Sequence, residues 1–433
     1  MSPSRRDFLS AAAAGLTLPL LDGSRLLRVE GTEQASSPTV VASRRPSDGY
    51  DPWIEVDPRA LQANAREVGR VTGGRPVMAV IKNNGYGVGL ERAGSALDDA
   101  PEVVGLGVVK VDEAFRLLDA GIRKPILLLT RATDDEAEAL VRQRVRMAPY
   151  TDDDPARFAA LSRRIQAPVP VHLYLDTGMS RLGMPYHRAR PWIVEIANEE
   201  GIRIDGSFMG FTEERDFDLE QLRRFQELAE EVRREDGISM GTLHAASSNH
   251  VTFLPESYLD MVRPGLMLFG AHVAGGRDAG TVELTPTMRV RARVIRVERL
   301  REGDSVSYGR NYIATEPVWV ATIPVGHSDG YPRQAVEGCR ILIGERTYPV
   351  IGAVSASHCI VELGRDPEAE VGDIATLMGP DHPDVHPNEL SERTGRSVYD
   401  ILMHLSPGIP GREWSDATRE VRSPPASSVG PPG

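Results

Sequence analysis

Lys82 ends the apolar run Val77-Met78-Ala79-Val80-Ile81 and is followed by Asn83-Asn84-Gly85-Tyr86-Gly87-Val88-Gly89. Five unbroken apolar residues read as a strand buried on both faces, which delivers the lysine to a loop carrying three glycines. An amine so placed is where a nucleophile would attack an aldehyde cofactor and form a Schiff base. A lysine at a strand end can equally snorkel into solvent without doing chemistry. Other stretches offer possible companions. Val171 to Asp176 is a second strand-like run, and a polar turn separates it from Arg181. Val262-Arg263-Pro264-Gly265-Leu266 puts an arginine at a strand end before a Pro-Gly turn, whose unpaired backbone N–H groups suit a phosphate. His244-Ala245-Ala246-Ser247-Ser248 adds hydroxyls at a strand-to-loop junction, with His244 read as a packed core histidine. Gly326-His327-Ser328-Asp329-Gly330 carries a histidine in a turn. Arg181 and Arg263 could also be ordinary ion-pair arginines, and His327 a structural loop residue. His358, His382 and His386 have no carboxylate or cysteine partners at metal-ligand spacing, so they read as surface residues and no metal is expected.

The elements that must position these groups alternate along the chain. Trp53 to Asp57 is a short strand, and Pro58 opens a helix through Leu61, Ala65 and Val68. Val103 to Val109, Pro125 to Leu129, Val169 to Leu175, Arg203 to Met209 and Met261 to Phe269 are further strand candidates, and Asp218 to Arg234 has helical periodicity. Repeated strand-helix units without a dinucleotide fingerprint after the first strand favour a parallel (β/α)8 TIM barrel over an open sheet. Lys82 then falls at the C-terminal end of a barrel strand, where catalytic groups gather. Past Glu283 the pattern changes. Arg289 to Val297 and Pro317 to Ile323 alternate with period two between glycine-bearing turns. The expected organisation is a leader and linker over residues 1–43, a barrel over 44–285, a mostly β C-terminal domain over 286–422 and a Pro/Gly/Ser-rich tail over 423–433.

The chain of 433 residues is 41% hydrophobic and 26% charged, enough to bury a core. A net charge of -12 without a basic run disfavours nucleic acid or an anionic membrane as partner. Ser4-Arg5-Arg6-Asp7-Phe8-Leu9 and the apolar run Ala11 to Leu21 have the form of a twin-arginine export signal, too short to anchor in a bilayer. The expected location is therefore periplasmic or extracellular, with no membrane attachment after export. That route carries folded proteins, which suits a chain that collects a cofactor first. Cys339 and Cys359 are the only cysteines, and their spacing leaves a disulfide open.

Taken in order and at these separations, the segments resemble the alanine racemase family over roughly residues 53–414. The resemblance implies pyridoxal 5′-phosphate (PLP) as cofactor, an amino acid as substrate, a TIM barrel with a β-rich second domain, and a homodimer whose active sites are shared across subunits. Carried over residue by residue, Lys82 matches the Schiff-base lysine and one catalytic base. Tyr86, Ser248 and the backbone of Gly265 and Leu266 match phosphate contacts. Arg181 matches the arginine near the cofactor phenol and the substrate carboxylate, and Arg263 the one facing the pyridine nitrogen. An arginine there keeps the ring nitrogen unprotonated, which weakens the electron sink and favours racemisation over transamination.

Several positions depart from the family pattern. His327 stands where the family has the tyrosine that serves as second base from the partner subunit. An unperturbed histidine titrates near 6.5 and a tyrosine near 10, so a two-base mechanism remains feasible. Tyr174 replaces a lysine that the family often carbamylates, Gly210 the histidine of a Thr-His-Phe segment, and Ser247 an asparagine at the cofactor. Ala356-Ser357 replaces a Met-Asp pair at the substrate carboxylate site, which implies a larger or differently polar pocket. The expected activity is amino-acid racemisation, of alanine or of a broader range, by Lys82 and His327. The alternatives are another reaction at the α-carbon (decarboxylation, retro-aldol cleavage, epimerisation) or a non-catalytic PLP or amino-acid binder.

Overall fold

A computed structural model describes residues 49–274, 280 and 282–414. The twin-arginine segment and the C-terminal tail lie outside the described residues. Strand β1 (Trp53–Val56) leads into helix Pro58–Val71, which Asp57 caps by accepting the Arg59 N–H with its side chain. The barrel begins with β2 (Val77–Val80) and continues through β3 (Val103–Val108), β4 (Ile126–Leu128), β5 (Arg146–Met147) and β6 (Val169–Asp176). β7 (Met184–Pro185) pairs only with β6, and β8 (Ile202–Met209) and β9 (Thr242–His244) complete the parallel order β2-β3-β4-β5-β6-β8-β9. Closure comes from single bridges, His244 to Met261 and Val77 to Val262, with the Met78 N–H donating to Val262 O at 2.9 Å. The fold is thus a TIM-type barrel with a second, mostly β domain.

The run Met261 to Phe269, expected as a strand, supplies only those bridging residues. Pro264 has no N–H to donate, and Leu266–Phe269 winds into a 3₁₀ turn at once. Met78, Leu127, Ala148, Tyr174, Phe208 and Met261, drawn from around the barrel, pack together as a separate cluster at its centre. The larger core lies between strands and helices and runs on into the second domain.

The second sheet is built from β10 (Met288–Arg293), β11 (Arg296–Leu300), β14 (Val318–Ile323), β15 (Arg340–Ile343), β16 (Arg346–Ile351), β17 (Cys359–Gly364), β18 (Ile374–Met378) and β19 (Gly411–Glu413). β12 (Ser305–Val306) and β13 (Tyr312–Ile313) form a separate small hairpin. Strand β1 pairs with β10 and β19, so the first described strand belongs to this sheet and not to the barrel. The pairing follows from charge. Arg289 and Arg291 are buried on β10, and two buried cations need nearby carboxylates. Glu55 of β1 meets Arg291 at 3.1 Å and Arg289 at 3.4 Å, and Asp381 meets Arg289 at 2.7 Å. The alternating run from Arg289 breaks at Val294 and Ile295, where β10 turns into β11.

Two expectations about side chains meet the structure here. His382 and His386 are half-buried rather than superficial: their Nδ1 atoms accept the N–H groups of Asp384 and Asn388 and so cap the following helical turns. Cys339 and Cys359 are buried and unbonded. Burial pushes their pKa values up to about 11 and about 12 respectively. Native protein is therefore expected to release no chromophore from an aromatic disulfide reagent at pH 8, and two equivalents after unfolding; fast reaction of either thiol in the native state would contradict the burial. Among the described residues no helix is long and apolar enough to cross a membrane.

Candidate active site

The turn Lys82–Tyr86 follows β2, and Asn83, Asn84 and Gly85 all take left-handed conformations, with φ of 54°, 56° and 59°. Asparagine and glycine are the residues that tolerate this region. Tyr86 also sits at φ 52°, a costly conformation for an aromatic residue. It is held there by its ring, which stacks on Phe269 at 4.6 Å and lies 6.2 Å from Tyr399. Beneath the turn, the buried Glu113 accepts N–H groups from Asn84 (3.1 Å), Val109 (3.3 Å) and Lys110 (3.2 Å). Burial lowers the pKa of Lys82, the Arg181 guanidinium lowers it further, and Glu113 opposes both. The outcome is an amine that reaches its neutral, nucleophilic form more readily than an exposed lysine.

Across the barrel mouth, the Ser248 hydroxyl accepts the N–H groups of Gly265 (3.0 Å) and Met267 (3.3 Å). A Cβ at Gly265 would lie 2.2 Å from the Tyr86 hydroxyl oxygen, so only glycine lets that phenol approach the turn. Tyr86 and Ser248 therefore bring two hydroxyls to the Gly265 turn, whose Gly265 and Met267 N–H groups are engaged by Ser248, with Leu266 buried behind it. Tyr399, from helix Val398–Met403, packs against this cradle, and burial pushes its pKa up to about 12.

Arg263 is held from behind. Its Nη1 donates to His244 Nδ1 at 2.9 Å and to the His244 carbonyl, and its Nη2 donates to Met209 O (2.6 Å) and Ala245 O (3.1 Å). Because arginine only donates, His244 Nδ1 must accept, so its proton sits on Nε2 and points at His172 Nδ1, 2.8 Å away. Both imidazoles are neutral. Burial, then Arg263, holds His244 well below the ordinary value, and burial, then Arg146, brings His172 to about 4. Burial lowers Arg263 itself to about 10, with the Tyr174 phenol opposing, so it stays charged at neutral pH. With both terminal nitrogens engaged, Nε–H is the donor left for a ring acceptor.

Ser247 is placed by a second array. Its Oγ lies 2.9 Å from His250 Nδ1, and His250 Nε2 lies 3.0 Å from Asp218 Oδ2. His250 stacks on Phe211 at 4.0 Å. Asp218 also accepts the N–H groups of Thr212 and Glu213. Asp218 Oδ2 accepts the His250 Nε2–H, Nδ1 then accepts from the Ser247 hydroxyl, and the serine oxygen presents lone pairs to its surroundings.

Arg181 follows β6 through a turn in which Asp176 Oδ1 accepts the N–H groups of Gly178 and Ser180, both at 3.0 Å. Its guanidinium is close enough to Lys82 to influence that amine. Lys82, Tyr86, Arg181, Ser247, Ser248, Arg263, Gly265 and Leu266 all lie on the loops that follow barrel strands. His327 and Ala356 are brought together elsewhere, on the second domain. The His327 N–H donates to Ser355 O at 2.9 Å, the Ser328 N–H to Ala356 O at 3.0 Å, and a Cβ at Gly326 would collide with both carbonyls at 2.3 Å. The His327 side chain is exposed and bonds to no group among the described residues. Glu113, Tyr399, His172 and the His250–Asp218 pair were not legible as site residues. Only His250, three residues after Ser247 at a helix start, had a local signal.

The donor set fits a phosphorylated aldehyde: an activated amine, two hydroxyls at the Gly265 turn, and an arginine with one N–H left unengaged. Barrel, cradle and lysine together define a PLP-dependent enzyme of the barrel-plus-β-domain type. The alanine racemase N-terminal domain model matches residues 56–273 and the alanine racemase C-terminal domain model residues 287–412. The chain belongs to the alanine racemase family and is a PLP-dependent racemase. It is 32% identical over 369 residues to alanine racemase of Symbiobacterium thermophilum, covering 84% of this chain and 97% of that one. It is 31% identical over 368 residues to that of Desulfovibrio desulfuricans, covering 83% and 96%. Among solved structures, the biosynthetic alanine racemase of Pseudomonas aeruginosa superposes with a TM-score of 0.74 at 28% identity, covering 85% of this chain and all (100%) of that one. A histidine racemase from Leuconostoc mesenteroides superposes at 0.75 with 25% identity and the same coverages, 85% and 100%.

The cradle yields a direct expectation. Gly265→Ala forces the Tyr86 hydroxyl away from the turn, and losing one hydrogen bond to a charged phosphate corresponds to roughly a 10- to 100-fold weaker affinity. Titration of cofactor-free protein with PLP, read by absorbance, is expected to show that loss; unchanged affinity would separate Tyr86 from the phosphate.

Proposed function

We propose that the protein interconverts the L and D forms of an amino acid whose side chain is larger than a methyl group, using Lys82 and His327 of the partner subunit as opposed bases in a homodimer. The observation that carries this reading is the contrast between a retained cofactor cradle and a substrate wall of reduced side chains, Gly210, Ala356 and Ser357. A relative of this fold whose name gives histidine as its substrate supports a range beyond alanine.

PLP bound at Lys82 would acidify the substrate's α-hydrogen by withdrawing electron density from the α-carbon. The chain's own residues do the rest. Lys82, its amine made more available by burial, takes or returns the proton on one face. Arg263 supplies a fixed positive donor to the ring nitrogen and limits how far that nitrogen takes up a proton. Ser248 and the Gly265 turn hold the phosphate so that the reacting carbon stays over Lys82. His327, its ring unengaged and its backbone locked to the Ser355–Ala356 loop, is suited to serve a neighbouring subunit on the opposite face. The Arg5-Arg6 segment supports export of the loaded, folded protein.

Proton-to-deuterium exchange at the α-carbon, followed by NMR in heavy water over a panel of L- and D-amino acids, tests the reading. Exchange with inversion from both enantiomers, fastest for substrates larger than alanine, is expected. Exchange with retention would leave one working base, and loss of substrate would mean a lyase or decarboxylase.

A further inference from the structure

Tyr174 lies on β6, two residues before the strand's end at Asp176. Its ring stacks on Phe208 at 4.3 Å, meets Tyr150 edge-on at 6.1 Å, and leaves the residue 5% exposed. These contacts fix the direction of the hydroxyl, yet that hydroxyl has no hydrogen-bond partner among the described residues. The Arg181 side chain has no ion pair or hydrogen bond among them either. The two groups border one space. A Cβ on Gly210 would stand 3.3 Å from Met179 Sδ, 3.6 Å from the Tyr174 oxygen and 4.0 Å from Arg181 Nη2. A methyl at 210 would press on Met179 Sδ, so glycine is what leaves both donors access to this position.

The Tyr174 O–H and the solvent-exposed Arg181 guanidinium thus present two donors to one neighbourhood, with no acceptor for either among the described residues. What completes them is an anion with two acceptor atoms, and a carboxylate has that form. On the racemase reading the phosphate of the cofactor is held at Ser248, which leaves a carboxylate as the anion for this pair.

We propose that the Tyr174 hydroxyl is the second donor to the substrate's α-carboxylate, beside Arg181 and over Gly210, and so helps determine which ligands the site accepts. This rests on the racemase reading for the identity of the substrate. The rigid ring takes the place of a flexible anchor: stacking on Phe208 positions the donor before the ligand arrives, which lowers the ordering cost of binding.

Propionate carries the carboxylate without an amine and cannot react, and propionamide is its neutral counterpart. Calorimetric titration of both into PLP-loaded protein is the test. Tyr174→Phe keeps the stacked ring, so the thermal midpoint should hold while propionate affinity falls roughly 10- to 100-fold and propionamide affinity stays unchanged. Gly210→Val fills the space without removing either donor and is expected to abolish propionate binding. Unchanged propionate affinity in Tyr174→Phe, equal losses for propionate and propionamide, or normal binding in Gly210→Val would each overturn the assignment. Wild-type protein that binds propionate through Tyr174 but exchanges no α-hydrogen would remove the racemase reading and leave the carboxylate site. Exchange with Tyr174-independent binding would do the reverse.

Discussion

Lys82→Ala is expected to lower racemisation by at least about 10³-fold, because in the proposed mechanism one substitution removes both the amine that captures the cofactor and a base at the α-carbon. The fold should survive. Lys82 has no ion pair among the described residues, and its charge is opposed by burial and by Arg181. Replacing a half-buried, unpaired cation costs little stability, so the thermal midpoint of cofactor-free protein should stay within a few degrees of wild type. A second readout avoids activity altogether. Borohydride reduction of the loaded wild type should fix the cofactor mass to the peptide containing Lys82, and the variant should carry none. Label recovered on another lysine would displace Lys82 from its role.

His327→Ala is expected to reduce racemisation by about 10²- to 10⁴-fold, the usual contribution of one positioned acid or base. The pattern matters more than the size. Lys82 still works in this variant, so α-hydrogen exchange should persist with retention for the enantiomer whose hydrogen faces it, while inversion is lost. His327 is exposed and only its backbone is bonded, so the loss should come without destabilisation. Racemisation that proceeds unchanged would end the two-base assignment. His327→Tyr extends the test: a marked gain on alanine would indicate that the natural reaction has moved away from that substrate.

Much of the cofactor site was readable because its parts are local. An apolar run ending in Lys82, a Pro-Gly turn after Arg263 and paired serines after His244 are strand-end and turn signals, and a barrel gathers the C-terminal ends of its strands at one mouth. The β-rich second domain was readable from its period of two. The strand assigned to Met261 through Phe269 failed for a local reason as well, since Pro264 interrupts the ladder.

Other features depended on contacts that no local pattern carries. Strand β1 reads as the start of the barrel until Glu55 is seen beside Arg289 and Arg291. Tyr174, Arg181 and Gly210 come from one strand and two loops, and their convergence depends on the pairing of β6 with β8, which shifts register between Val171 and His172. The Ser247–His250–Asp218 array joins two helices, and Glu113 reaches under a turn from a different strand-helix unit. The amino-acid sequence by itself determined the class of chemistry, because a lysine, a phosphate turn and an arginine are each specified by their immediate neighbours. The tertiary structure alone decided which hydroxyls and imidazoles orient those groups and where an unpaired donor meets an open space, because strand register and tilt set distances across a barrel and residue spacing does not.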